Sequence, residues 1–299
     1  MYFRMLLIIR LSLFYIFLTG CDEIGQVFNK EKKKVTTYSF DCLDSTLSGK
    51  PVNRNIEKAS DIIRDLAISK KSITDSLQTA YGKEFHEQMT KDGSFKLLNN
   101  TAAQQKLNTV LKELLAVREA PSNIQYAIYI LKDTMVNAFT FGGRIYITEA
   151  MLAKCKQSDA LLYAIVGHEI GHSEVGHIKA TIQELELSNK IFGDENGSMF
   201  FEMKKLLTAS FNQKNELEAD YYGINLTNEL GYDVCSAVTF WKEMASNENN
   251  YSDLEDFFRT HPFSNLRAQC LTHHIRTNFD KECGELNKAA SLPQVVDNK

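Results

Sequence analysis

The chain has 299 residues, 43% of them hydrophobic and 24% charged, with a formal charge of −4. That length buries one large core or two modest ones, and the balance excludes a strongly basic nucleic-acid binder. The sequence carries no basic aromatic stripe and no Gly-rich phosphate loop, so no nucleic-acid partner is expected.

The first segment reads as an address, not as fold. Arg4 opens it, Met5 to Leu18 is apolar, and Leu18-Thr19-Gly20-Cys21 is a lipobox-like end. Residues 1–20 are therefore expected to be a lipoprotein signal peptide, with Cys21 the lipidated N-terminus of an exported, membrane-anchored bacterial protein facing the periplasm or cell exterior. Arg4 and Arg10 leave with the signal, giving 32 basic against 38 acidic residues, a charge of −6. Residues 21–43, with Lys30, Lys32, Lys33 and Lys34, read as a solvated tether. Five cysteines remain: Cys42, Cys155, Cys235, Cys270 and Cys283. An odd number leaves at least one outside any internal pair, and Cys270 and Cys283 are near enough in sequence to staple the C-terminal segment.

The domain is expected over residues 44–285, its catalytic core over about 120–278, with 286–299 a tail. Residues 44–118 carry helical periodicity in three segments: Ile56 to Ile68, Ile73 to Met89, and Ala102 to Val117. Pro121 and Ser122 end that pattern. Ile124, Tyr126, Ile128 and Ile130 then alternate as in a half-buried strand. Val136 to Phe141 and Arg144 to Thr148 flank Gly142-Gly143, which predicts a hairpin. A further helix begins near Asp159. Residues 193–197 read as a loop and 199–211 as an apolar helix, either plain packing or a lid.

His168-Glu169-Ile170-Gly171-His172 lies inside that apolar helix. Positions four apart sit about 40° apart on a helix surface, so both imidazoles face one metal ion. Glu169 beside them can take a proton from a metal-activated water. A catalytic zinc needs a third protein ligand. Counting on along the helix puts His177 about 180° from His168, which makes it a packing or outer-support residue. Glu216 and Asp220 share one face of a later helix, while Glu218 points about 200° away from Glu216. Glu216 completes a His-His-Glu set, and Asp220 can hold a ligand histidine's other nitrogen. Asn137 and Ala138 lie on the expected strand before the active helix.

HExxH followed by this ExxxD resembles peptidase family M48, the gluzincins that include HtpX and the CAAX prenyl-protein proteases. Val136-Asn137-Ala138-Phe139 with Gly142-Gly143 is similar to the family's edge strand. Thr260-His261-Pro262-Phe263 with Arg267 is similar to its C-terminal His-Pro segment. The resemblance covers about residues 75–278. It implies an α+β, mainly helical zincin-like metalloprotease domain, with a small edge-strand sheet beside the HExxH helix. It implies one catalytic zinc on His168, His172 and Glu216, and Glu169 as general base. Arg267 would orient the site or a substrate carbonyl, a surface salt bridge being the plain alternative. His261 would stabilise the oxyanion or act as a resting fourth ligand. Asn137 and Ala138 would bind an extended substrate by strand addition.

The function that follows is a membrane-tethered zinc metalloendopeptidase of the soluble exported lipoprotein branch. Its partners would be unfolded or misassembled exported proteins. The alternative is a latent chaperone or adaptor that holds extended segments at the edge strand without cutting them.

Overall fold

The computed structural model describes residues 36–44, 65, 67–192, 211–246, 261 and 265–284. The chain divides between Thr36 and Thr37, and the elements named here lie in the second unit. Cys21, the signal segment, residues 56–64 and Leu66 of the first expected helix (Ile56 to Ile68) and the segment 193–210 lie outside the described residues.

After a four-residue helical turn (Asp41–Asp44) and a 3-10 turn (Lys70–Ser72) come two long helices, α1 (Asp75–Lys91) and α2 (Thr101–Ala116). Each starts where a side-chain oxygen answers an orphan amide: Thr74 accepts from Leu77 N, and Asn100 from Ala103 N. The strands follow as β1 (Ala127–Leu131), β2 (Ala138–Phe141) and β3 (Arg144–Thr148). The turn between β2 and β3 is Gly142-Gly143, at φ 57° and 81°, as the hairpin reading expects. Spatial order is β1-β3-β2, with β1 parallel and β2 antiparallel to β3. The strand nearest the hairpin in sequence thus pairs with the far arm, and β2 is left at an edge.

Period-two alternation divides the sheet's faces. Ile145 and Ile147 of β3 join a core with Leu107 and Leu111 of α2 and Leu162, Ile165 and Val166 of the active helix. Tyr146 faces the other way, into a second core with Phe85 and Met89 of α1 and with Ile178 and Ile182. Every residue of β3 is buried because helices cover both sides.

After a short α3 (Glu149–Lys154), the remaining α-helices among the described residues are α4 (Asp159–Glu174), α5 (His177–Phe192), α6 (Gln213–Glu229), α7 (Cys235–Ser246) and α8 (Asn265–Phe279). Ser158 caps α4 and Asn212 caps α6. Residues 161–173 of α4 are all buried, the mark of a central helix apolar all round. No helix among the described residues is long and apolar enough to cross a membrane.

The contact of α4 with α6 determines where the site forms. Gly167, Gly171, Ala219 and Gly223 let the two backbones touch. A Cβ on Gly223 would lie 2.5 Å from the backbone nitrogen of His168, and one on Gly171 would lie 2.9 Å from the Ala219 carbonyl oxygen. Glu216, Ala219 and Gly223 recur at i, i+3 and i+7, so the face that makes this approach also carries Glu216 to the histidines.

Two disulfides close the helical layer. Cys42 pairs with Cys270 and Cys235 with Cys283, at Cα separations of 5.7 and 5.2 Å. The C-terminal cysteines therefore do not staple to each other: Cys270 sits within α8 and meets the N-terminal segment, and Cys283 follows α8 back to α7. Cys155 is free and buried. Residues 38–43, read from sequence as tether, are pinned to the domain. Tyr221 donates its hydroxyl to the Ser39 carbonyl at 2.7 Å, and Asn225 donates to the Tyr38 hydroxyl at 2.8 Å.

His274 of α8 stacks on Tyr221 at 4.2 Å and is 2% exposed. Its Nε2 donates to Asn225 Oδ1 (2.9 Å), and Asn278 Nδ2 donates to its Nδ1 (3.1 Å). Burial, helped by the neighbouring charge of His273, pushes its pKa down to about 4. The unfolded chain then binds the proton first, near pH 6.5, so this group's contribution is complete above that pH and is lost as pH falls toward 4. We expect urea unfolding to show wild type losing about 2 kcal/mol more than His274→Gln between pH 7 and pH 4.5. Parallel stability curves would remove His274 from the acid response.

Candidate active site

His168 and His172 project from one face of α4, with Nε2 atoms 3.0 Å apart. From α6, Glu216 reaches both: Oε2 is 3.6 Å from His168 Nε2, and Oε1 is 3.4 Å from His172 Nε2. His261 enters ahead of α8. Its Nδ1 lies 3.2 Å from His168 Nε2 and 3.1 Å from Glu216 Oε2. One ligand atom from each of these four residues falls within 4.8 Å of the others, and all four side chains are buried. Three nitrogens and a carboxylate oxygen are the donor set that suits a borderline-soft divalent ion such as zinc.

The carboxylates behave differently, and the cause is geometric. Glu169 is buried, and burial pushes its carboxyl above the usual carboxylate range against the pull of His261 and His168. Its Oε1 is 3.5 Å from His261 Nε2, while Oε2 is buried with no hydrogen-bond partner among the described residues. Burial also works against charge on Glu216, but His261 and then Arg267 outweigh it and hold that carboxyl well below the usual range. For His261 the Glu216 and Glu169 carboxylates overcome burial and push the pKa up to about 9. For His172 burial wins and drives the pKa well below its ordinary value, which keeps the imidazole neutral with a lone pair to give.

Behind His168, Asp220 Oδ1 accepts from Nδ1 at 2.8 Å. Arg267 then donates from Nε and Nη2 to Asp220, both at 2.9 Å, and Nη1 lies 2.9 Å from Glu216 Oε2. The guanidinium is fully buried and lies 5.0 Å from the centre of the Trp241 ring. The surface salt bridge weighed for Arg267 from sequence is thus replaced by an interior one. Its partners come from α6, and only the folding of α8 onto α6 supplies them.

Ala138 is buried at the start of β2, and its carbonyl accepts from His261 Nε2 at 3.0 Å. Asn137 precedes the strand. Its backbone N–H donates to Thr148 Oγ1 at 3.0 Å, and its carbonyl accepts from Thr148 N at 3.0 Å. The edge that sequence reading proposed for substrate therefore faces the donor cluster through His261.

The helical count misplaces His177. Helix α4 stops at Glu174, Gly176 takes φ 92°, and α5 starts at His177. The break turns His177 back so that its Nδ1 meets His172 Nδ1 at 3.0 Å. Glu218, pointing away from Glu216 as expected, lies 3.0 Å from His177 Nε2. Phe211 stacks on the His172 ring at 4.2 Å. Neither Phe211 nor Trp241 carries a sequence signal for this place, whereas Gly176 does mark the end of the helical count.

Comparison with known proteins agrees with this geometry. Residues 101–275 match Peptidase family M48. The chain is similar to mitochondrial metalloendopeptidase OMA1 of Schizosaccharomyces pombe, 29% identical over 54% of this chain and 50% of that protein. It is similar to metalloprotease LoiP of Escherichia coli, 29% identical over 53% of this chain and 64% of that protein. It is also similar to the beta-barrel assembly-enhancing protease of Escherichia coli, 23% identical over 58% of this chain and 39% of that protein. The matches thus span from about two fifths to under two thirds of these relatives. With more than half of the chain inside the matched region and the HExxH and ExxxD helices meeting within it, the chain belongs to peptidase family M48.

Proposed function

We propose that this chain is a zinc metalloendopeptidase that cleaves unfolded or misassembled exported proteins while tethered to a membrane through Cys21. The observation that carries the chemistry is the convergence of His168, His172, Glu216 and His261 beside the buried Oε2 of Glu169, which has no hydrogen-bond partner among the described residues. In this reading His168, His172 and Glu216 hold the zinc. When bound, zinc acidifies a water and polarises the scissile carbonyl. Glu169 takes the water's proton at Oε2 and returns it to the leaving amine, work that suits a carboxyl whose pKa burial has raised. Asp220 and Arg267 keep His168 in the Nδ1–H tautomer, so that its Nε2 faces the metal.

Substrate would lie extended along β2, where backbone pairing gives affinity with little demand on sequence. Support for exported targets comes from the two disulfides, which persist in oxidising compartments, and from the relative named for β-barrel assembly. The tether rests on the lipobox-like sequence ahead of Cys21. The domain would run from the segment bearing Cys42 to about residue 285.

A latent form is the second reading. The Nδ1 of His261 occupies the donor cluster while its Nε2 holds the Ala138 carbonyl, so the same side chain caps both the metal position and the edge. One experiment tests both readings: zinc content by elemental analysis and casein cleavage by the purified protein. Glu216→Ala is expected to lose most of its zinc; unchanged stoichiometry would point to another third ligand. His261→Ala is expected to keep zinc and cut faster if the histidine is a cap, and slower if it stabilises the oxyanion.

A further inference from the structure

The two ligand imidazoles are backed by different devices. His168 leans on a carboxylate that a buried arginine neutralises. His172 leans on a second imidazole. Its Nδ1 lies 3.0 Å from His177 Nδ1, His177 Nε2 lies 3.0 Å from Glu218 Oε2, and Glu218 Oε1 lies 3.4 Å from Lys214 Nζ. Side-chain exposure rises outward along this line: 0% for His172, 6% for His177, 28% for Glu218 and 63% for Lys214.

The hydrogen-bond directions follow from the ends of the line. An ionised carboxylate only accepts, so His177 Nε2 carries the proton and donates to Glu218. A neutral His177 then has a bare Nδ1 that can only accept. The donor facing it is His172 Nδ1–H, so the lone pair of His172 is on Nε2, the atom 3.4 Å from Glu216. Phe211, stacked on the His172 ring at 26°, holds its plane. We propose that His177 is a positioning residue, which with Glu218 locks His172 in the Nδ1–H tautomer and aims its Nε2 at the metal. This inference rests on the reading of His172 as a metal ligand, and it assigns the histidine five residues past the HExxH motif to the metal site's outer support.

Two substitutions separate this role from simple packing. Asparagine keeps an acceptor near the place of Nδ1 but loses the ring; phenylalanine keeps the ring but loses the acceptor. Zinc affinity of the purified protein, read by competition with a chromophoric chelator, is expected to fall about 10–100-fold in His177→Phe. His177→Asn is expected to stay within about threefold of wild type. The reverse order would make His177 a packing residue and overturn the proposal, as would equal affinity in all three. Nitrogen-15 histidine spectra of the zinc-loaded protein give the second readout: wild type should show His172 protonated at Nδ1, and a different tautomer there would also overturn it. If His177→Phe does not fold, Glu218→Leu takes its place, and affinity unchanged from wild type refutes the relay. A wild type that binds no zinc at all would instead bring down the metal-site reading beneath it.

Discussion

Glu169→Gln is expected to keep its zinc and to lose about 10²–10⁴-fold in kcat, equivalent to about 3–5 kcal/mol of barrier. The substitution changes one oxygen to an amide nitrogen and leaves side-chain volume and burial nearly as they are. Glu169 is not among the four residues whose donor atoms cluster, so metal content should hold. What disappears is the proposed base. A carboxylate buried beside His168 and His261 with an unpartnered oxygen can accept a proton from water, and a primary amide cannot. The measurement is steady-state cleavage of a fluorescent casein beside elemental analysis of the same sample. Activity within tenfold of wild type would take Glu169 out of the base role, and lost zinc would make it a ligand.

Arg267→Met should have the largest effect on stability. The guanidinium bridges Asp220 and Glu216 in the interior, with every side chain in the triad at most 2% exposed. Removing it leaves two buried carboxylates facing one another without a fixed cation. Loss of one partner from such a network costs about 3–5 kcal/mol, because the remaining charge is desolvated and uncompensated. Part of that loss should appear in metal binding, since Arg267 is among the groups that keep the Glu216 carboxyl ionised. Arg267→Lys keeps the charge but not the planar fork, so it should fall between the two. Urea midpoints in the presence of a chelator read the folding term alone. If Arg267→Met unfolds at the wild-type midpoint, the bridge contributes nothing, and Asp220 would have to hold His168 unaided.

Much of this site was legible in the chain because helical arithmetic is local. The four-residue spacing of His168 and His172, and of Glu216 and Asp220, needs no tertiary information to put each pair on one face. The hairpin at Gly142-Gly143 and the helices α1, α2 and α4 were legible for the same reason: turn chemistry and apolar period act over a few residues. The arithmetic failed where the helix itself ended. Gly176 reverses the chain, and His177, counted as facing away, lands on His172.

What the sequence by itself determined is the family and the helix faces that carry His168 with His172 and Glu216 with Asp220. Tertiary structure alone decided which side chains stand behind those faces. Cys42 with Cys270, Arg267 with Asp220, and His261 with Ala138 are pairs separated by 228, 47 and 123 residues. No local spacing encodes such partners. They follow from the glycine-lined approach of α4 and α6 and from the way α8 closes over it, which is a matter of shape and burial across the whole domain.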